Sequence, residues 1–464
     1  MREDLPRTTL PGPYVAEWLT CVADESSGSE AGAFGRYRSV LGPMVGLAIQ
    51  PSGAAWSPTR ALAFVENAQA AKQPWFFFHD PIRGTEVVGV GSLLPPAFTG
   101  SLAQLTSLPG ESDDAPLWLG AQHFEKSNGA VAFIPRVVAW RGRRGSGLVV
   151  RHNVNRGVRD RETELALRLL DQTVVATSSR PSTSEVVPPV SLEPREDYED
   201  RVAAARDAVA AGQLRKVVLA RAVSVEPTPL HRFAVSATLA ALAENHPTAT
   251  VFGLGLPGGD AFVGASPELL VHVDGLELET HAVAGTAARG LDTVADERLG
   301  ATLLSSAKDR LEHALVAEGI ADALGEDCGE ITVAPPRLVK LRNVQHLVSP
   351  LRATLRRPTA SSTLATRLHP TPAVGGSPKA AALAWIERTE PRPRGLYAGP
   401  IGWVDGTGSG TWVVGIRSAL LSETRAVAWA GAGIVAESDP ASEWRETELK
   451  LQAVLSSLRA EPLP

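Results

Sequence analysis

The chain is poor in the residues that would tie it to thiolate, secreted or membrane chemistry. Its 464 residues include only two cysteines, Cys21 and Cys328, far apart and without a Cys-x-x-Cys spacing, which argues against a disulfide framework or a thiolate zinc site. No apolar run approaches the roughly eighteen residues of a membrane-spanning helix. The N-terminus, Met1 to Pro6, carries acids and proline in place of a basic and then apolar leader. No basic block stands out and the net charge is −6, so nucleic acid is not an expected partner. Together these absences lead us to expect a soluble, cytoplasmic protein with no membrane association.

What remains is ordinary globular composition, with 44% hydrophobic and 21% charged residues. The length allows two or three average domains, or one large sheet-rich domain. Residues 1–185 alternate short apolar runs with turn residues, as in Trp75-Phe-Phe-Phe78 before His79-Asp-Pro81 and Gly129-Ala-Val-Ala-Phe-Ile-Pro135. This part holds no cluster of acids, histidines or glycines to which a chemical role attaches, and it reads as scaffold. A serine- and proline-rich stretch from 176 to 195 marks a connection, and the region 190–464 carries the chemistry. The pattern there predicts helices near 195–211, 234–244, 305–324, 377–388 and 442–458, with strands near 216–221, 248–256, 261–265, 268–273, 410–421 and 425–430.

Lys216 opens the run Lys216-Val-Val-Leu-Ala-Arg221, which otherwise reads as a buried strand. Side chains alternate along a strand, so the lysine shares its side with Leu214, Val218, Ala220 and Ala222. An ammonium there reaches water, finds a carboxylate, or gives up its proton and serves as a base. Glu268 stands at the head of an apolar strand, either as a buried acid able to donate a proton or as a strand-end surface residue. Glu312 belongs to the helix from 305, beside Asp309 and His313, while Glu443, Glu446 and Lys450 share one face of the last helix. Acids so placed suit a magnesium ion, and equally a solvated helix face. Ala284-Gly-Thr286 and Ala430-Gly-Ala-Gly433 are glycine segments of the kind that let backbone approach an anion, or that simply turn. Arg417, inside an apolar run, calls for a carboxylate partner.

In order, Lys216-Val-Val-Leu-Ala-Arg221, Gly264-Ala-Ser-Pro-Glu-Leu-Leu270, Ala284-Gly-Thr286, Lys308-Asp-Arg-Leu-Glu-His313 and Val344-Gln-His-Leu347 resemble the motifs of the chorismate-utilising enzymes. So do Leu368-His-Pro-Thr-Pro-Ala-Val-Gly-Gly376, Arg394-Gly-Leu-Tyr-Ala-Gly399, Gly431-Ala-Gly-Ile434 and Glu443-Trp-Arg-Glu-Thr447. That family includes anthranilate, aminodeoxychorismate, isochorismate and salicylate synthases, and the resemblance covers about 195 to 460. Lys216 is similar to the water-activating lysine of the isochorismate and salicylate enzymes. Ala284 replaces the nucleophilic lysine often found in aminodeoxychorismate synthases, and His369 to Gly376 is more similar to isochorismate than to salicylate synthases.

The resemblance implies an α+β fold, a large sandwich of two stacked antiparallel sheets flanked by helices, to whose core both halves of the chain contribute. It implies isochorismate synthesis from chorismate, with Lys216 as base and Glu268 as acid. Glu312 and Glu446 would hold Mg²⁺, with Glu443 acting through water. Arg417, Tyr397 and the amides of Gly431, Ala432 and Gly433 would hold the enolpyruvyl carboxylate. Lys450 and His346 would lie near the ring carboxylate, and Gly285 and Thr286 near the departing hydroxyl. No glutamine amidotransferase subunit is expected, and the chain is expected to act as a monomer. Salicylate synthesis, a non-catalytic chorismate-binding module and anthranilate synthesis are the rival readings.

Overall fold

The structure is a computed structural model. It describes residues 44–49, 58–93, 101–105, 115–143, 145–153 and 186–463; Cys21 and most of the serine- and proline-rich connection lie outside them. Residues 44–464 form one compact unit.

Eight helices are described: α1 (Pro58–Ala70), α2 (Arg195–Ala210), α3 (Val235–Asn245), α4 (Thr293–Ser305), α5 (Ala307–Leu324), α6 (Ser361–Leu368), α7 (Lys379–Thr389) and α8 (Pro440–Leu455). Most answer to the helical spacing of the sequence, and Gly212, at φ 73°, turns the chain just after α2. Helices α1 and α6 were given no bounds by the sequence pattern, and neither was α4. Asp292 caps it by accepting from the Ala295 amide at 2.8 Å, and that Asx start with Asp296 in the first turn was the legible signal. Ser306 ends α4 and caps α5, accepting from the Asp309 amide at 3.2 Å.

The strands make two large antiparallel sheets. One runs in the order Met44–Ile49, Gly145–Asn153, Pro135–Gly142, Thr85–Ser92, Trp75–Asp80, Thr250–Gly255, Ala261–Ser266, Ser418–Leu421, Ala426–Ile434, Lys216–Val225 and Gly376–Ser377, with Val190–Ser191 on the outer side of Lys216–Val225. The other runs Cys328–Val333, Val344–Leu355, Glu277–Ala288, Leu269–Asp274, Gly410–Val414, Pro400–Asp405, Pro116–Gln122 and Ala130–Phe133, with Arg337–Lys340 beside Val344–Leu355. Strands from before residue 154 and after residue 215 are hydrogen-bonded neighbours in both: Phe78 faces Phe252, and Leu119 faces Trp403.

Alternation sorts the side chains into two cores. Phe76, Phe78, Phe252 and Phe262 of the first sheet meet Leu119, Phe133, Ile401 and Val413 of the second in one apolar cluster, so the sheets are stacked. Trp75, Phe77, Val251 and Val263 point the other way, against Phe64 of α1, Leu239 of α3 and Leu451 and Val454 of α8.

Two of the places where the chain passes from sheet to sheet adjoin each other. Strand Ala261–Ser266 belongs to the first sheet and Leu269–Asp274 to the second, with Pro267 and Glu268 between them. The run expected as one strand from 410 to 421 is two, Gly410–Val414 and Ser418–Leu421, one in each sheet. Arg417 therefore lies in no strand. It sits at φ 52° in the corner between them, a left-handed conformation that a non-glycine residue adopts only where its surroundings enforce it. The corners are tied by Ala265 N–H to Arg417 O at 3.1 Å and Val414 N–H to Glu268 O at 3.1 Å.

Candidate active site

Side chains from both corners, from the end of strand Lys216–Val225 and from helices α5 and α8 converge on one polar site. Lys216 is 1% exposed, and its ammonium is 2.9 Å from Glu312 Oε1. Of the three outcomes open to a lysine on that face, the structure takes the carboxylate partner. Burial alone would raise the Glu312 carboxyl, but Lys216, with Lys450 and Lys308, outweighs it and holds the group below its ordinary range.

Glu268 is buried, and among the described residues its Oε1 finds no hydrogen-bond partner. Burial pushes its carboxyl up to about 7 against the opposing pull of Lys216, Arg417 and Lys450. An acid that keeps its proton near neutrality, beside three cations and with a free oxygen, is equipped to donate.

The third group surrounds His346. Its Nδ1 lies 3.3 Å from the Gly285 carbonyl and 3.1 Å from Thr286 Oγ1, and its Nε2 lies 3.1 Å from an Arg417 nitrogen. A guanidinium only donates, so Nε2 accepts and the proton sits on Nδ1. Burial, with Arg417 and Lys450, holds the imidazole neutral, far below its ordinary range. Arg417 is thereby partnered by a neutral imidazole, where the sequence led us to expect a carboxylate, and its Nε is unpaired. A cation so held can receive an anion from outside the chain. Gly285 makes the local geometry available: at φ 78°, in a bulge of strand Glu277–Ala288, a Cβ there would press on Asp309 at 3.2 Å.

Gly431, Ala432 and Gly433 lie within strand Ala426–Ile434, paired with residues 218–220, so the anion-binding turn that the glycines suggested is not formed. The glycines instead make room. A Cβ on Gly433 would collide with Glu312 Oε1 and stand 2.9 Å from Lys216 Cε; one on Gly431 would lie 3.1 Å from Val218 and 3.3 Å from the Tyr397 hydroxyl. Ala432, one residue out of phase, faces the opposite side. The Gly431 carbonyl accepts from Lys450 Nζ at 2.8 Å. Tyr397 stacks on Trp429 with centroids 6.1 Å apart.

The remaining acids are each matched by a lysine. Lys450 pairs with Glu446 at 2.6 Å and Lys308 with Glu443 at 3.2 Å. Burial and the neighbouring Glu446 push the Glu443 carboxyl up to about 7. Glu312, Glu443 and Glu446 all act electrostatically on Lys308. Among the described residues, no three His, Cys, Asp or Glu side chains stand close enough to grip an ion as they are. The oxygen donor set suits a hard divalent cation, with lysines supplying the countercharge. Sequence reasoning assigned no role to Lys308 or to Asp309, whose carboxyl is raised by burial beside Glu312 and Glu446. Both lie one helical turn from Glu312, which was the available signal.

The fold and these residues define a class. Residues 117–459 match the chorismate binding enzyme family, and the chain belongs to it. Within that family it is 45% identical over 272 residues to the salicylate biosynthesis isochorismate synthase of Pseudomonas aeruginosa, across 58% of this chain and 56% of that one. The matched part thus spans little more than half the length of that relative. Identity to the isochorismate synthase EntC of Escherichia coli is 38% over 279 residues, 60% of this chain and 71% of that one. The structure of MenF, the menaquinone-specific isochorismate synthase of Escherichia coli, superposes with a TM-score of 0.73 at 26% identity, covering 92% of this chain and 99% of that one.

Proposed function

We propose that this protein is an isochorismate synthase, converting chorismate to isochorismate with Mg²⁺ for menaquinone or siderophore synthesis. One observation carries the reading. A fully buried lysine and a buried carboxyl that keeps its proton to about 7 act on each other in one site, and the relatives above are named for this reaction.

In the reaction, Lys216 takes a proton from water as its oxygen bonds to C2 of the ring. The ring double bonds shift, the C4–O bond breaks, and Glu268 protonates the departing hydroxyl so that it leaves as water. Arg417, held by neutral His346, and the Tyr397 hydroxyl bind the enolpyruvyl carboxylate. Backbone around Gly431, Ala432 and Gly433 lines that end. Gly285 and Thr286 lie at the departing hydroxyl, and Lys450 and His346 near the ring carboxylate. Glu312, Glu446 and Glu443 would hold a Mg²⁺ ion, which would supply positive charge for the ring carboxylate. These acids must turn from their lysines to do so. With water as nucleophile no glutamine amidotransferase subunit is required, and the reading includes action as a cytoplasmic monomer.

Incubating the protein with chorismate and Mg²⁺ and separating the products tests this. Isochorismate that disappears when Mg²⁺ is chelated and returns on its restoration is the expected result. Salicylate formed as fast as isochorismate is lost, anthranilate formed with ammonia, or chorismate bound without turnover would each overturn it in favour of a different activity.

A further inference from the structure

Arg221 lies five residues beyond Lys216 on the same strand and so projects to the opposite face. It is 2% exposed, with three partners, all on α8. Its Cζ stands 3.6 Å over the Trp444 ring, its Nε donates to Thr447 Oγ1 at 2.7 Å, and its terminal nitrogen pairs with Glu448. Thr447 Oγ1 in turn donates to the Trp444 carbonyl at 2.7 Å, and Tyr198 meets the indole edge-on, centroids 5.7 Å apart. Tyr198 is itself tied to the Arg221 strand, its hydroxyl 3.3 Å from the Leu219 carbonyl.

Positions 444, 447 and 448 occupy one face of the helix, while Glu443, Glu446 and Lys450 occupy the next. A planar guanidinium that stacks on one ring and bonds two other side chains fixes the helix in rotation as well as distance, which an apolar contact would leave free. We infer that Arg221 is a positioning residue that sets the rotation of α8 against the Lys216 strand, and thereby the placement of Glu443, Glu446 and Lys450 around Glu312. Its consequence for metal binding rests on the reading of those acids proposed above.

The test uses the full-length protein without metal or substrate. In Arg221→Met, which keeps length and removes charge and donors, amides of 443–450 exchange hydrogen faster than in wild type while those of Thr250–Gly255 do not change. Arg221→Lys, retaining a cation over the indole, falls between. Titrated with Mn²⁺ by calorimetry, Arg221→Met binds about tenfold more weakly or worse. Should Arg221→Met fail to fold, the pair Thr447→Val and Glu448→Met removes both hydrogen-bonded partners of the guanidinium and is read the same way. Exchange through α8 equal to wild type in either variant overturns the inference. Wild type that takes up no Mn²⁺ overturns the metal role of the acids instead, and the exchange measurement still decides the role of Arg221.

Discussion

Two strands of the same sheet show what makes this site. In Trp75–Asp80, Trp75 and Phe77 enter one apolar cluster and Phe76 and Phe78 the other, and the buried Asp80 at its end takes its partner, Arg83, from the turn that follows. In Lys216–Val225 both faces are buried too, yet Lys216 and Arg221 are 1% and 2% exposed. A buried charge persists only where something else delivers its partner. Glu312 comes from α5 to Lys216, and Thr447 and Glu448 come from α8 to Arg221. The aromatic strand is stabilised by its own composition and by a partner three residues beyond its end. The charged strand is stable only in the company of helices that follow it by about a hundred residues or more, and those same helices bring the acids.

The comparison breaks most sharply at the charged strand. Lys216→Ala should lower turnover by about 10³-fold, the range of a general base, while chorismate still binds in a calorimetric titration; full activity would remove the lysine from the chemistry. Glu268→Gln should lose about 10² to 10⁴-fold. In the wild type, turnover should fall as pH rises past about 7, where Glu268 ionises. The same group bears on stability with a definite sign. Its native carboxyl titrates higher than in the unfolded chain, so its contribution is complete below about 4.5, declines as pH rises through about 7, and amounts to something on the order of 3 kcal/mol. A thermal-melt series over that window in wild type and Glu268→Gln checks it.

Gly433→Ala comes next. The added methyl meets Glu312 and Lys216 and should cost up to about a hundredfold in turnover by misplacing the pair, with little change in melting temperature. Smallest at the site is Phe64→Ala, in the core behind the first sheet. It should destabilise the fold by about 3 to 5 kcal/mol yet leave turnover per folded molecule unchanged, and a loss of specific activity would show that the two regions are less separate than the packing implies.

Lys216 and Glu268 could be singled out because each is a charged residue set against an apolar run, and such a conflict with the local pattern is visible in one dimension. Five of the eight described helices were legible from their spacing; α1, α4 and α6 were not. Arg417 was expected inside a strand and lies in none, because its corner joins two strands of similar composition and periodicity does not register a change of sheet. Lys308 and Arg221 were passed over for a related reason: on their own elements they look like solvated charges, and what marks them is a partner far along the chain.

By itself the sequence determined the residue types and their order: which stretches would be buried, which would be helix, where charge was out of place, and the family whose motifs these are. Only the tertiary structure decided that the crossings at Glu268 and Arg417 lie side by side, that His346 is neutral and steadies Arg417, and that Glu312, Glu443 and Glu446 are each faced by a lysine. Hydrophobic periodicity is a local property and can be read along the chain. The partner of a buried charge is set by which elements pack together, and that is a property of the fold.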